Sequence, residues 1–327
     1  MAGTDGTARR VGIRTPAKIN LGLRVLSRRP DGYHTVRTLL AAVDLWDTVI
    51  FEPGGEGLRL ECDDPSVPTD RTNLVLRAAS RLEDLLGRRL PGARVRLQKR
   101  IPAGRGLGGG SSDAAAALIG LNRLFGLGLG RRVLHRVAAQ VGMDAPFFLY
   151  GGLALVTGRG DHVFPLADVA KLPLVLLIPE FGISTPEAYR GLPTSPDAPR
   201  GEDGSERADS LVRFLASGPS GPQLSGKLLA GCFPNDLERS TVLQTTRPPD
   251  AISRMRNALK AAGALETAMS GSGSAVFGVF AGREQAEHAA SRLSEANLRA
   301  IATRTITRSE HRAALLGNWP DGAWPRG

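Results

Sequence analysis

Cysteine is nearly absent from this chain. Only Cys62 and Cys232 occur among 327 residues, which excludes a disulfide framework and fits a reducing, cytoplasmic setting. Histidine is almost as sparse, and His34, His135, His162, His288 and His311 show no metal-ligand spacing. No apolar run is long enough to cross a bilayer, and the first ten residues lack the hydrophobic core of a secretory signal. Lysine stands only at positions 18, 99, 171, 227 and 260 although the net charge is +10, so the positive charge is nearly all arginine. A basic balance suits a nucleic acid or a small polyanionic ligand. Here the arginines are scattered, with no basic arm and no aromatic-interleaved patch. They read as solvated surface, and neither nucleic acid, membrane nor an obligate protein partner is expected.

Glycine is what the chain has in quantity, 40 residues in all. Five of them fall between Gly104 and Gly110 in the stretch Lys99-Arg-Ile-Pro-Ala-Gly-Arg-Gly-Leu-Gly-Gly-Gly-Ser-Ser-Asp-Ala-Ala-Ala-Ala117. Before them Ala93, Val95 and Leu97 alternate with Arg94, Arg96 and Gln98, the pattern of a half-buried strand. After them Leu118, Leu121, Leu124 and Phe125 recur at helical spacing. Strand, glycine loop and helix make an anion cradle. Without a Cβ the backbone comes close to a ligand, and the first N–H groups of the helix lack internal partners. Ser111 and Ser112 are expected to add hydroxyls at the same spot. A P-loop is excluded, because no lysine stands between Gly104 and Ser112. Gly104-Arg-Gly-Leu-Gly-Gly109 fits the dinucleotide fingerprint, yet the ribose-binding acid expected after it is missing. The bland alternative is a flexible glycine linker.

The length implies two domains, and no internal repeat is present. Strands are expected over 11–15 and 16–25, then over 38–51 with an interruption at Asp44-Leu-Trp-Asp47. A helix carrying Leu76, Ala79, Leu82 and Leu86 is capped at Thr72 or Asn73. Residues 142–149 read as a turn into a short helix, and 153–166 as a strand pair joined through Gly158-Arg-Gly-Asp161. An apolar strand over 172–178 opens the second domain. Helices over 210–216, 223–231, 250–262 and 283–296 follow, with strands over 267–269, 275–280 and 300–307. The segment 194–209 is expected as a surface loop and 317–327 as a frayed tail.

Phosphoryl transfer needs cradled phosphates, charge neutralisation and an acceptor for the proton of the attacking hydroxyl. Asp144 is a candidate base; its alternative is a plain helix N-cap. Lys18 and Asn20 lie side by side on one strand face, where Lys18 either orients that base or is a surface lysine. Tyr33 and His34 follow a Pro-Asp-Gly turn, fit to stack on a flat ring or simply to pack the turn. Ser270-Gly-Ser-Gly-Ser274 either approaches the same phosphates or is a tight turn. Asp113 in the first helical turn either faces hydrated magnesium or supplies a favourable N-terminal charge.

The stretch from Pro102 to Ala116 resembles the phosphate loop of the galactokinase, homoserine kinase, mevalonate kinase and phosphomevalonate kinase (GHMP) superfamily. Pro16-Ala-Lys-Ile-Asn-Leu21, Arg29-Pro-Asp-Gly-Tyr-His34 and Gly142-Met-Asp-Ala-Pro-Phe-Phe148 resemble one branch of it. That branch uses ATP to phosphorylate the 2-hydroxyl of a cytidine-diphosphate sugar alcohol in the non-mevalonate isoprenoid pathway. The resemblance implies an α+β chain of two domains. The first, residues 1–166, would be an ATP-binding domain like the second domain of ribosomal protein S5. The second, 167–316, would be ferredoxin-like, with the site in the cleft between them. It also implies ATP with Mg2+, and Lys18 and Asp144 as the catalytic pair. The ATP loop would be Pro102, Ala103, Gly104, Arg105, Gly106, Leu107, Gly108, Gly109, Gly110, Ser111 and Ser112, with Asn73 near adenine. Asn20, Tyr33, His34, Thr185 and Tyr189 would meet the substrate, the two tyrosines sandwiching cytosine and His34 bonding its edge. Arg105 stands where the superfamily has a small residue, and is expected to add a phosphate contact or to swing into solvent.

Overall fold

A computed structural model describes residues 10–168, 171–192, 229, 231–240 and 250–316. The expected loop at 194–209, the helix at 210–216, nearly all of that at 223–231 and the tail at 317–327 lie outside these residues.

The chain opens with two long antiparallel strands, β1 (Val11–Arg28) and β2 (His34–Pro53). Two expected short strands are thus one, and the interruption at Asp44 is not a break. Both anomalies have one cause. The register runs Pro16↔Trp46 and then Ala17↔Val43, so the ladder bulges where Pro16 cannot donate and Asp44 and Leu45 are extra. The bulge also flips the face that each side chain takes. Ile13 packs among the first-domain helices, whereas Ile19 and Leu21, of the same parity, pack toward the second domain. Lys18 is thereby turned toward the glycine loop. β3 (Leu58–Cys62), α1 (Leu74–Leu86), β4 (Ala93–Gln98), α2 (Gly109–Leu124) and α3 (Arg131–Val141) follow. A 3-10 turn, Ala145–Leu149, leads into the hairpin β5 (Leu153–Gly158) and β6 (His162–Pro165). The first sheet has the order β3-β4-β2-β5-β6, with β1 also paired to β2.

α2 is buried nearly all round, from Ala114 to Asn122 without a gap. Its alanines let a helix lie centrally between α1, α3 and the sheet, in one apolar cluster with Phe51, Phe147 and Phe148. Its N-terminus, and therefore the loop before it, has no freedom to wander.

The second domain is built on β7 (Pro173–Leu177), β8 (Glu266–Met269), β9 (Val276–Val279) and β10 (Ala300–Arg304), in the order β10-β7-β9-β8. α4 (Thr185–Arg190) leaves this sheet on the cleft side, and α5 (Ala251–Ala261) and α6 (Arg283–Glu295) pack on it. Leu172, Leu174, Leu176 and Phe277 meet Ile19, Leu21, Leu39 and Ala41 in one apolar cluster, so the two domains dock through a dry seam. The last helix, α7 (Arg308–Leu316), returns to the first domain. Leu315 and Leu316 join its core, and His311 Nε2 bonds the Phe148 carbonyl oxygen at 2.8 Å.

Candidate active site

The glycine loop is a fixed structure and not a linker. Gly104, Gly106 and Gly108 take φ of +66°, +76° and +73°, a region that only glycine enters freely. Alternation of such residues aims successive N–H groups inward. Gly108 is the N-cap of α2 and no side chain caps that end, so the positive end of the helix is open to an anion. The Leu107 carbonyl accepts the Lys18 backbone N–H at 2.9 Å, which ties the loop to β1. A Cβ at Gly106 would lie 2.0 Å from the Ser270 carbonyl oxygen. Gly106→Ala must therefore shift the main chain as well as hold a left-handed φ that alone costs about 1–2 kcal/mol. Nucleotide affinity is expected to fall by about tenfold or more; unchanged affinity in a nucleotide titration contradicts this loop geometry.

Lys18 is 3% exposed and not a surface lysine. Its ammonium lies 3.1 Å from Asp144 Oδ2 and donates to Asn20 Oδ1 at 2.7 Å. Asn20 Nδ2 donates to Thr38 Oγ1 at 2.8 Å, and Thr38 in turn donates to the Gly22 carbonyl. Lys18 is thus held by a chain of oriented dipoles. The second domain closes over it: a Cβ at Gly271 would lie 3.0 Å from Lys18 Nζ. Asp144 precedes the 3-10 turn, yet its side chain makes no capping bond, so the N-cap alternative falls away. Its carboxylate is 35% exposed, paired on one side and open on the other. Buried Phe147 and Phe148 anchor the turn that presents it.

Ser111 and Ser112 part company. Ser112 is fully buried and donates to the Pro16 carbonyl at 2.6 Å, so its hydroxyl is not offered to a ligand. Ser111 is partly exposed, near the segment before Asp144: a Cβ at Gly142 would lie 3.5 Å from Ser111 Oγ. Asn73 caps α1 through Val75 N at 2.9 Å and donates to the Pro68 carbonyl, so its amide is engaged within its own loop. Asp113 takes neither expected role. It is 2% exposed and accepts from Lys99 Nζ at 2.8 Å, facing the interior instead of a hydrated ion. Among the described residues no group of three acidic, His or Cys side chains could hold a metal.

Across the cleft, His34 stacks on Tyr189 with ring centroids 5.1 Å apart. Burial, aided by the Arg28 charge, holds the His34 imidazole below its ordinary pKa. At neutral pH it is uncharged, with one donor and one acceptor. Burial, with the nearby Asp144 charge, pushes the Tyr189 phenol up. Tyr33 is 48% exposed beneath the Arg159 guanidinium, 5.3 Å from its ring centroid. His34 thus pairs with Tyr189, and Arg159 with Tyr33. Thr185 Oγ1 lies 3.0 Å from Ser272 Oγ, which brings the 270–274 loop to the same cleft.

Three participants had no sequence signal. Asn235 donates to the Met269 and Gly271 carbonyls at 2.9 and 2.8 Å and so shapes the 270–274 loop. Thr38 orients Asn20. Lys99 bridges buried Asp47 and Asp113 beneath the glycine loop. Each acts through long-range pairing that local pattern does not record.

The GHMP kinases N terminal domain matches residues 73–152, and GHMP kinases C terminal matches 223–299. The 4-diphosphocytidyl-2-C-methyl-D-erythritol kinase of Moorella thermoacetica is 43% identical over 88% of this chain and 96% of its own length. The kinase of the same name from a Synechococcus strain is 42% identical over 84% of this chain and 86% of its own. A crystal structure of 4-(cytidine 5'-diphospho)-2C-methyl-D-erythritol kinase aligns with TM-score 0.70 at 36% identity, covering 90% of this chain and 99% of that one. A homoserine kinase from Cytophaga hutchinsonii, TM-score 0.68 at 20% identity over 94% of this chain and 97% of that chain, shares the fold. With the open helix N-terminus, the Lys18–Asp144 pair and these matches together, the chain belongs to the GHMP kinase family, in its 4-diphosphocytidyl-2-C-methyl-D-erythritol kinase branch.

Proposed function

We propose that this chain transfers the γ-phosphoryl group of ATP to the 2-hydroxyl of 4-diphosphocytidyl-2-C-methyl-D-erythritol, in the non-mevalonate route to isoprenoid precursors. The observation that carries the reading is the Lys18–Asp144 contact of 3.1 Å beside the uncapped start of α2. Asp144 accepts the proton of the 2-hydroxyl, whose oxygen attacks the γ-phosphorus in line while the bond to ADP breaks. Lys18 holds the carboxylate in register and offsets charge on the transferring group. The main chain from Pro102 to Ser111 cradles the phosphates. Magnesium belongs to this reading as the partner of ATP. The described residues supply no acidic cage for it, and Asp113 does not fit as a ligand, so no step runs through a protein-held ion.

Tyr33, His34, Asn20, Thr185 and Tyr189 form the substrate side. A base stacked on an aromatic ring is worth about 1–3 kcal/mol. Tyr33→Ala is therefore expected to raise KM for the cytidyl substrate by about fivefold or more, with KM for ATP unchanged; an unaltered substrate KM removes stacking by Tyr33. We also infer that residues 1–166, with α7 returned to their core, form an S5-domain-2-like ATP-binding domain and that the sheet-bearing part of 167–316 is ferredoxin-like. The order β10-β7-β9-β8, fourth-first-third-second, supports the latter. Among the described residues no helix is long and apolar enough to cross a membrane, in keeping with small-molecule work in the cytoplasm. A labelled-ATP screen of the cytidyl alcohol, homoserine and mevalonate tests the assignment. Label in the first alone is expected, and label in either of the others overturns it.

A further inference from the structure

Arg105 is an arginine in the middle of a loop built for anions, yet its half-buried side chain directs the guanidinium to main-chain carbonyls. Nε donates to the Pro179 carbonyl at 2.9 Å, Nη2 to that of Glu180, and Nη1 back to that of Ala103 at 3.1 Å. Pro179 and Glu180 belong to the segment that leaves β7 of the second domain. The same residue is held from the other side, because its carbonyl accepts the Ala275 N–H at 3.1 Å. Ser270 Oγ donates to the next carbonyl along the loop, that of Gly106, at 3.0 Å. The fit at the guanidinium is close, since a Cβ on Gly182 would lie 2.6 Å from Arg105 Nη1.

A loop with glycine at every second position is intrinsically mobile. Buried α2 and the tie to β1 hold its C-terminal end; what stiffens it at Arg105 is a planar fork of donors that bonds several carbonyls at once, a geometry lysine cannot copy. A cradle held in its bound shape loses less freedom on taking a ligand. We propose that Arg105 is a positioning residue for nucleotide binding: it braces the glycine loop against the second domain, so the phosphate site is complete only when the two domains are docked. This rests on the kinase reading above. It assigns the arginine to the loop's main chain and not to a phosphate.

A brace acts alike on ground state and transition state, so its loss should appear in affinity and little in turnover. Arg105→Ala in the full chain is expected to weaken a non-hydrolysable ATP analogue and ADP by the same factor, about tenfold, by calorimetry. KM for ATP should rise equally, kcat at saturating ATP should fall less than threefold, and Arg105→Lys should restore less than half of the lost affinity. Gly182→Ala leaves Arg105 in place but pushes its fork aside, and should weaken both nucleotides in the same sense. Unchanged nucleotide affinity in Arg105→Ala overturns the inference. So does a loss confined to the triphosphate, the mark of a direct γ-phosphate contact. Should Arg105→Ala not fold, unchanged affinity in Gly182→Ala overturns it alone. A wild-type chain that binds no nucleotide overturns the kinase reading instead.

Discussion

Asp144→Asn is expected to fold, to bind ATP as the parent does, and to turn over more slowly by a factor on the order of 10²–10⁴, the usual worth of a general base. The amide keeps the size of the carboxylate and loses its capacity to take a proton. The turn that carries it stays anchored by Phe147 and Phe148, both fully buried, and by the His311 bond to the Phe148 carbonyl. The change therefore falls on chemistry and not on architecture. Lys18 retains Asn20 as a partner at 2.7 Å, which limits the cost of leaving a buried ammonium without its carboxylate. Single-turnover rates with bound ATP measure the effect, and near-parental turnover removes Asp144 from the role of base.

Lys99→Met is expected to cost stability more than any surface change. Among the described residues Lys99 is the one ammonium paired with both Asp47 and Asp113, and the three side chains are 4%, 0% and 3% exposed. Asp47 also accepts the Ile101 N–H at 2.8 Å and that of Arg100, and Asp113 Oδ1 has no partner. Removing the cation leaves Asp47 as a buried charge without its ammonium and forces Asp113 to hold a proton, and breaking such a buried pair costs about 3–5 kcal/mol. An exposed pair such as Arg81–Asp84 contributes about 0.2–1 kcal/mol. The pH dependence separates this from lost packing. Burial, with the Asp47 charge, pushes the Asp113 carboxyl up to about 7 against the pull of Lys99. Between the ordinary carboxylate range and that value the folded chain holds a proton that the unfolded chain releases. This group therefore lowers stability as pH rises through that window. Without Lys99 the carboxyl rises further, so the deficit of the variant should shrink as pH falls from about 8 to about 6. A denaturant series in which the deficit is small, or the same at both ends, contradicts the triad as drawn.

The strand, loop and helix at 93–124 were legible because each rests on local chemistry: alternation, glycine and a 3.6-residue period. Lys18 and Asn20 on one strand face were legible for the same reason. The bulge at Pro16 was not, although it decides which way Lys18 points, because a bulge is a property of two strands and the sequence shows one at a time. Burial of β1 on both faces follows from the second domain docking on it, and no pattern inside residues 11–28 announces that. Ser112 looked like a ligand for phosphate and is a rivet to β1. Arg105 looked like a phosphate contact or a solvent-facing side chain and grips the other domain. Asp113 looked like an N-terminal charge or a partner for magnesium and is one of three members of a buried triad. In all three the residue type was legible as polar and the partner was not, since the competing protein carbonyls and charges come from distant segments.

In the proposed reaction one alcohol receives one phosphoryl group at the mouth of the glycine loop. Phosphorus NMR of the chain incubated with ATP, magnesium and 4-diphosphocytidyl-2-C-methyl-D-erythritol reads this directly. We expect ADP and one new phosphomonoester resonance, coupled to the 2-position of the erythritol and growing in equal amount. ADP without that ester, or an ester at another hydroxyl, contradicts it.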